Sequence, residues 1–153
     1  MQIDFSNSLF NTDSFLRILP DDWRESIVPH WKAYADNANI YTLSTAHTLI
    51  GGGIVFSKTT PDMMYAKTIS DKWFENGYLY IAYLWIDEKY RGQQLGTLWL
   101  QKLIQQFPNQ KFWLSIENTN LAAFYIKNGF RVADKLMNNT NEEWIMTYDP
   151  IQN

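Results

Sequence analysis

The sequence predicts a mixed α/β (α+β) fold, a largely antiparallel sheet of six or seven strands with helices on both faces. Three observations point to it. Gly77 to Ile116 reads as strand, loop, helix and strand, and a helical crossover of that length makes its two strands parallel. Segments 40–57 and 131–149 each read as two strands around a short turn, which makes the other pairs antiparallel. No repeat, low-complexity segment or linker divides the chain, so residues 1–153 are expected to form a single domain, long enough to bury its own core.

The elements follow in order. Gln2 to Ser6 alternates briefly and suits an edge strand. Asp13 and Ser14 can cap a short helix through Leu19. Pro20-Asp21-Asp22 opens a second helix with acids at the positive end of its dipole. Pro29, lacking an N–H, should kink or break that helix before Ala35. Ile40 to Ser44 and Leu49 to Ser57 are apolar and β-branched around the turn Thr45-Ala46-His47-Thr48. Gly51-Gly52-Gly53 lies in the second arm. With no helix pattern after it, a bulge or close backbone approach explains it better than a phosphate loop. Thr59 to Asn76 is polar, turns at Pro61-Asp62 and reads as a long irregular loop suited to substrate contacts.

Tyr78 to Ile86 is apolar on both faces, as a central strand covered on each side would be. Leu95, Trp99, Leu103 and Phe107 step along one helical face until Pro108-Asn109 stops the helix. Lys111 to Ile116 is a short strand. Asn118-Thr119-Asn120 offers caps for a helix through Asn128, and Gly129 supplies its left-handed end. Arg131 to Met137 and Glu143 to Asp149 close the sheet around Asn138-Asn139-Thr140-Asn141.

Composition excludes several function classes. Zero cysteines rule out a disulfide framework and any thiolate metal site or nucleophile, and a reducing compartment fits. The start Met1-Gln2-Ile3-Asp4-Phe5 lacks the features of a signal peptide, no apolar run is long enough to span a bilayer, and a cytoplasmic location is expected. A net charge of −3 without a basic cluster argues against nucleic acid and is compatible with a cationic small substrate. Aromatic residues reach 16%, most at core spacing, so they read as large core rings rather than a stacking surface. No metal is expected.

The segment Tyr90-Arg91-Gly92-Gln93-Gln94-Leu95-Gly96 joins the long apolar strand to the amphipathic helix. Such a junction gathers unpaired backbone N–H groups at the positive end of a helix dipole, an anion site suited to pyrophosphate. Neither a Walker pattern nor a Gly-x-Gly-x-x-Gly fingerprint is present.

Arg91-Gly92-Gln93-Gln94-Leu95-Gly96 resembles the acetyl-CoA pyrophosphate signature of the GNAT superfamily of N-acetyltransferases, Arg/Gln-x-x-Gly-x-Gly/Ala. Asn118-Thr119-Asn120-Leu121-Ala122-Ala123-Phe124-Tyr125-Ile126-Lys127-Asn128-Gly129-Phe130 is similar to its second signature, Asn-x-x-Ala-x-x-Leu/Phe-Tyr-x-Lys-x-Gly-Phe. The resemblance spans Tyr78 to Val132. It departs at Leu121, where alanine is usual, and at Gln94, where the first signature glycine is expected. Gln takes a positive φ less readily and adds bulk, although its backbone N–H remains.

The resemblance implies an acetyl-CoA-dependent N-acetyltransferase acting on a primary amine of a small molecule or peptide by direct attack on the thioester. It implies a sheet splayed between the fourth and fifth strands, with main chain of Leu84, Trp85 and Ile86 meeting the pantetheine. Arg91, Gly92, Gln93, Gln94, Leu95, Gly96 and Thr97 would hold the pyrophosphate, and Asn118 and Tyr125 would also meet the cofactor. Arg91 would add charge there or remain a solvated loop arginine. Tyr125 would be the general acid for the leaving thiolate; by reference pKa values of ~10 and ~8.5 the transfer requires close positioning.

Glu117 is the foremost carboxylate for the base, with His30, His47 and a water relay as alternatives. The acceptor site in this family is built from the early helices, the long loop and the last hairpin, which here offer Trp23, Trp31, Trp73, Phe74, Asp62, Asp71 and Glu75. A monomer or homodimer is expected. Gln94 and the obscure base motivate an alternative, a non-catalytic acyl-CoA-binding or regulatory module on the same fold.

Overall fold

The computed structural model describes residues 2–7 and 12–150, and among them one sheet holds seven strands. These are β1 (Asp4–Asn7), β2 (Ala38–Ser44), β3 (Leu49–Phe56), β4 (Tyr78–Ile86), β5 (Lys111–Ile116), β6 (Arg131–Asn138) and β7 (Asn141–Tyr148). Their order across the sheet is β1-β2-β3-β4-β5-β7-β6, and every neighbouring pair is antiparallel except β4 and β5. The expected parallel crossover and both hairpins are therefore present.

Each face of the sheet carries its own core. Helices α1 (Thr12–Ile18), α2 (Asp21–Ile27), α3 (Trp31–Ala35) and α4 (Lys67–Glu75) cover one side, burying Phe15, Ile27, Tyr34 and Trp73 against Ile54, Phe56, Tyr80 and Trp113. On the other side α5 (Leu95–Gln106) and α6 (Ala122–Lys127) bury Leu95, Trp99, Leu103 and Tyr125 against Leu43, Ile81, Leu114 and Met146. A strand apolar on both faces is what such a two-sided burial requires of β4.

The proline at 29 acts as its chemistry demands: α2 ends at Ile27, a 3-10 turn spans Val28–His30, and α3 starts afresh. The first helix begins at Thr12, so Asp13 and Ser14 fall in its first turn rather than at its cap. Thr59 to Asn76 is not an irregular loop. It forms a 3-10 helix over Pro61–Ala66 and then α4. Met63, Ala66, Ser70 and Trp73 are buried three or four residues apart, a helical stripe that the polar residues between them mask in the sequence.

Close approach accounts for the three glycines of β3. A Cβ on Gly51 would lie 2.5 Å from the Trp85 carbonyl oxygen, and one on Gly52 would lie 2.6 Å from that of Tyr41. Opposite them, β4 carries a bulge: Gly52 pairs with Trp85 but Ile54 with Ala82, and Tyr83 takes φ +57. Ala82 and Tyr83 both face the α1–α4 side as a result. Leu84 and Ile86 then turn toward α5 and Trp85 toward α2.

The parallel pair is short. Tyr78, Tyr80 and Leu79 pair with Lys111, Trp113 and Phe112, and past these residues β4 and β5 separate. The sheet thus opens as a wedge between its fourth and fifth strands, toward the C-terminal ends of both.

Candidate active site

A cavity of about 500 Å³ fills this wedge. Ile81, Leu84, Leu114, Ile116 and Tyr125 line it from the α5–α6 side; Trp23, Met63, Tyr80 and Tyr83 line it from the other. Both core faces contribute walls, so the opening joins the two sides of the sheet. Helices α5 and α6 begin at the C-terminal ends of the two parallel strands, where ligands of open parallel sheets are held.

The loop before α5 has the features of an anion cradle. The first helical bond runs from the Leu98 N–H to the Gln94 carbonyl at 3.1 Å, leaving the N–H groups of Leu95, Gly96 and Thr97 without a helical acceptor. No side chain caps this end, and its first turn holds no acid. Gly92 takes φ +79 with open space where a side chain would stand. Gln94 itself takes the left-handed conformation, φ 58 and ψ 32, that a glycine would be expected to supply, and Gln93 is exposed beside it.

Other loop residues have packing roles as well. Leu95 is buried, so only its main chain faces the loop. Gly96 lets the Phe124 ring approach, since a Cβ there would be 3.1 Å from it. Thr97 Oγ1 accepts a hydrogen bond from Asn128 at 3.4 Å, a second tie between α5 and α6. Arg91 is neither free in solvent nor aimed at the helix end: its guanidinium lies 4.2 Å over the Trp85 ring and donates to the Ile86 carbonyl at 3.2 Å. Leu84 lines the cavity, whereas the Trp85 ring packs edge-on against Trp23 at 5.4 Å.

Tyr125 is almost wholly buried on α6 and borders the cavity; burial pushes its phenol up to about 12. The helix end behind it is fixed by the Phe130 N–H bonding the Tyr125 carbonyl at 3.0 Å and by Gly129 at φ +93. Asn118 lines the cavity and also caps the turn Thr119–Leu121, accepting from the Asn120 N–H at 3.0 Å. Glu117 stands exposed at the cavity rim, just past β5.

The deepest carboxylate is one that sequence reasoning missed. Glu143 on β7 is 2% exposed and borders the cavity. Tyr65 donates to its Oε2 at 2.5 Å, Ser115 to the same oxygen at 2.8 Å, and Asn138 to Oε1 at 3.0 Å. Burial, the bond to Glu143 and its charge, and then the charges of Glu117 and Asp62 hold the Tyr65 phenol far above its ordinary value. A signal for Glu143 existed: it alternates with Ile145 on the inward face of a strand, where a carboxylate is out of place.

Of the expected acceptor residues, Trp23 and Asp62 border the cavity, and Asp62 accepts from Tyr83 at 3.1 Å. Trp73 and Phe74 belong to the α1–α4 core, where Trp31 also packs. Asp71 is paired with Lys67 in a separate hollow that includes Glu75. His30 and His47 are exposed on a 3-10 turn and a hairpin turn, away from the residues that line the cavity.

A sequence model of the acetyltransferase (GNAT) family matches residues 9–130. No curated protein matches the chain. Several solved structures share its fold. A GNAT family acetyltransferase from Elizabethkingia anophelis with acetyl-CoA bound is 17% identical, with a TM-score of 0.65 over 96% of this chain and 97% of that one. The ribosomal-protein-S18-alanine N-acetyltransferase from Escherichia coli is 18% identical, with a TM-score of 0.68 over 99% and 97%. An acetyltransferase from Bacillus subtilis in complex with CoA is 13% identical, with a TM-score of 0.66 over 98% and 100%.

Proposed function

The chain belongs to the acetyltransferase (GNAT) family, and on that premise we propose that it is an acetyl-CoA-dependent N-acetyltransferase acting on a primary amine of a small molecule or peptide. One observation carries the reading: the wedge cavity, walled from both faces of the sheet and bordered by Tyr125, lies where β4 runs out toward the uncapped start of α5. The donor set there fits a pyrophosphate, being main-chain N–H groups at the positive end of a twelve-residue helix with no acid in its first turn.

Acetyl-CoA supplies the activated acyl group when bound. In this proposal the N–H groups from Gly92 to Thr97 hold its phosphates, and the main chain of Leu84 to Ile86, which has no β5 partner, meets its pantetheine arm. Arg91 acts by fixing the loop against Trp85. The Tyr125 phenol, protonated throughout the neutral range, donates its proton to the departing sulfur. Glu117 takes the proton of the attacking amine, because its exposed carboxylate can pass that proton on to water.

The non-catalytic alternative drew its motive from Gln94 and from the obscure base, and of these Gln94 adopts the left-handed conformation in question. Titration calorimetry with acetyl-CoA, followed by thiol release across a panel of primary amines, tests the proposal. Tight binding and release with at least one amine are expected. Binding without any release would favour the acyl-CoA-binding module, and absence of binding would remove both.

A further inference from the structure

Four carboxyl groups border the cavity, from Asp22, Asp62, Glu117 and Glu143, and no lysine, arginine or histidine does so among the described residues. Three of them stand exposed at the rim, where solvent screens them. Glu143 differs: it is buried, it faces the cavity, and all its partners are neutral. The ion pairs among the described residues, Arg24–Asp21 and Lys67–Asp71, lie elsewhere. A carboxylate offers about four lone-pair positions. Tyr65 and Ser115 fill those of Oε2, while Asn138 leaves one on Oε1 open. A buried carboxylate with only neutral donors and an open position suits a cationic partner.

Amine acetylation sharpens what that cation must be. The attacking nitrogen has to be neutral, so it cannot also balance the carboxylates while it reacts. A second positive group on the same molecule can. Resting on the acetyltransferase reading above, we propose that the acceptor is a diamine-class substrate, with one amino group attacking the thioester while a second, protonated one is held by Glu143 beside Tyr65, Ser115 and Asn138. The aromatic side chains of Trp23 and Tyr83, which line the cavity on the same side of the sheet, suit an alkylammonium chain. An acceptor with a carboxylate at its far end would meet like charge instead.

Three acceptors with the same four-carbon chain separate the possibilities: 1,4-diaminobutane, butylamine and 4-aminobutanoate, with far ends positive, apolar and negative. Thiol release from acetyl-CoA should give kcat/KM highest for the diamine, about tenfold above butylamine, with aminobutanoate lowest. Glu143→Gln should bring the diamine's advantage down to about threefold or less, and Asp62→Asn at the rim should lower it less. Calorimetric Kd values for acetyl-CoA should remain those of the unaltered protein in both variants. Calorimetry with the three amines on CoA-saturated protein gives the same order without relying on turnover. Equal or absent amine binding, a preference for aminobutanoate, or a Glu143→Gln variant with an unchanged preference would overturn the inference. If acetyl-CoA binds and is turned over while the amines rank without regard to charge, this inference alone fails. If acetyl-CoA does not bind, the acetyltransferase reading fails with it.

Discussion

The Trp99 indole occupies the space where a side chain on Gly53 would begin: a Cβ built there would lie 2.6 Å from the ring. The ring cannot swing away, because its Nε1 donates to the Tyr41 carbonyl at 2.9 Å and the residue is fully buried. Gly53→Ala is therefore expected to destabilise the protein by about 1–3 kcal/mol through overpacking. Urea denaturation followed by tryptophan fluorescence measures this, and an unchanged midpoint would contradict the packing.

Tyr125 borders the cavity with its phenol raised to about 12, so it is a donor at every pH used for assays. Tyr125→Phe removes only the hydroxyl. Turnover is expected to fall by about 100-fold while the Kd for acetyl-CoA changes little. Single-turnover rates and calorimetry read the two effects separately, and undiminished turnover would take the acid role away from this residue.

The same burial links tyrosine to stability at high pH. Tyr125 and Tyr78 both have folded values pushed up to about 12, above the ~10 of an unfolded tyrosine. Each contribution is fully present below pH ~10 and is lost as pH rises through the folded value. Urea midpoints should hold steady to about pH 10 and fall beyond it. Tyr125→Phe should make that fall shallower; an identical profile would show that this tyrosine is not linked to unfolding.

Gln94 holds a left-handed backbone, at a cost of about 1–2 kcal/mol for a residue with a side chain. Gln94→Gly removes that cost but makes the unfolded chain freer, so a net gain of about 1 kcal/mol is expected. Affinity for acetyl-CoA should be kept, since the donors proposed for the phosphates are main-chain groups. A large loss of affinity would instead assign a role to the glutamine side chain.

Arg91 both stacks on Trp85 and bonds the Ile86 carbonyl. Lysine cannot reproduce the planar stack together with that hydrogen bond. Arg91→Lys should therefore raise the KM for acetyl-CoA several-fold and leave kcat nearly unchanged, by loosening the loop without touching the reacting groups. Steady-state kinetics at saturating amine check this, and a fall in kcat alone would argue against it.

Much of this architecture was legible because it rests on local patterns. Pro29 breaks a helix, Gly129 ends one, and the periodicity from Leu95 to Phe107 marks the face of α5 that is buried. The loop and the Asn118–Phe130 segment disclosed the family for the same reason, since their chemistry is carried by residues adjacent in sequence. Glu143 was hidden because its partners Tyr65 and Ser115 lie far away along the chain, and only the folded sheet brings them together. The helix at Lys67–Glu75 was missed because buried Ser70 continues an apolar stripe without being apolar. The bulge at Tyr83 escaped notice because β4 is apolar on both sides, so no break in alternation marks it.

That bulge decides which way the end of β4 faces. The extra residue shifts the phase of the strand by one, so the three residues after it show each side of the sheet the opposite set from what strict alternation would give. Deleting Tyr83 along with the bulge would leave Leu84, Trp85 and Ile86 facing as they do now, whereas a regular ladder that kept Tyr83 would turn all three over together. Trp85 would then leave both Trp23 and Arg91, and the loop would lose its anchor although every side chain of the loop was still in the sequence. Side chains along this strand can be exchanged one at a time, but the bulge and its extra residue can be gained or lost only together.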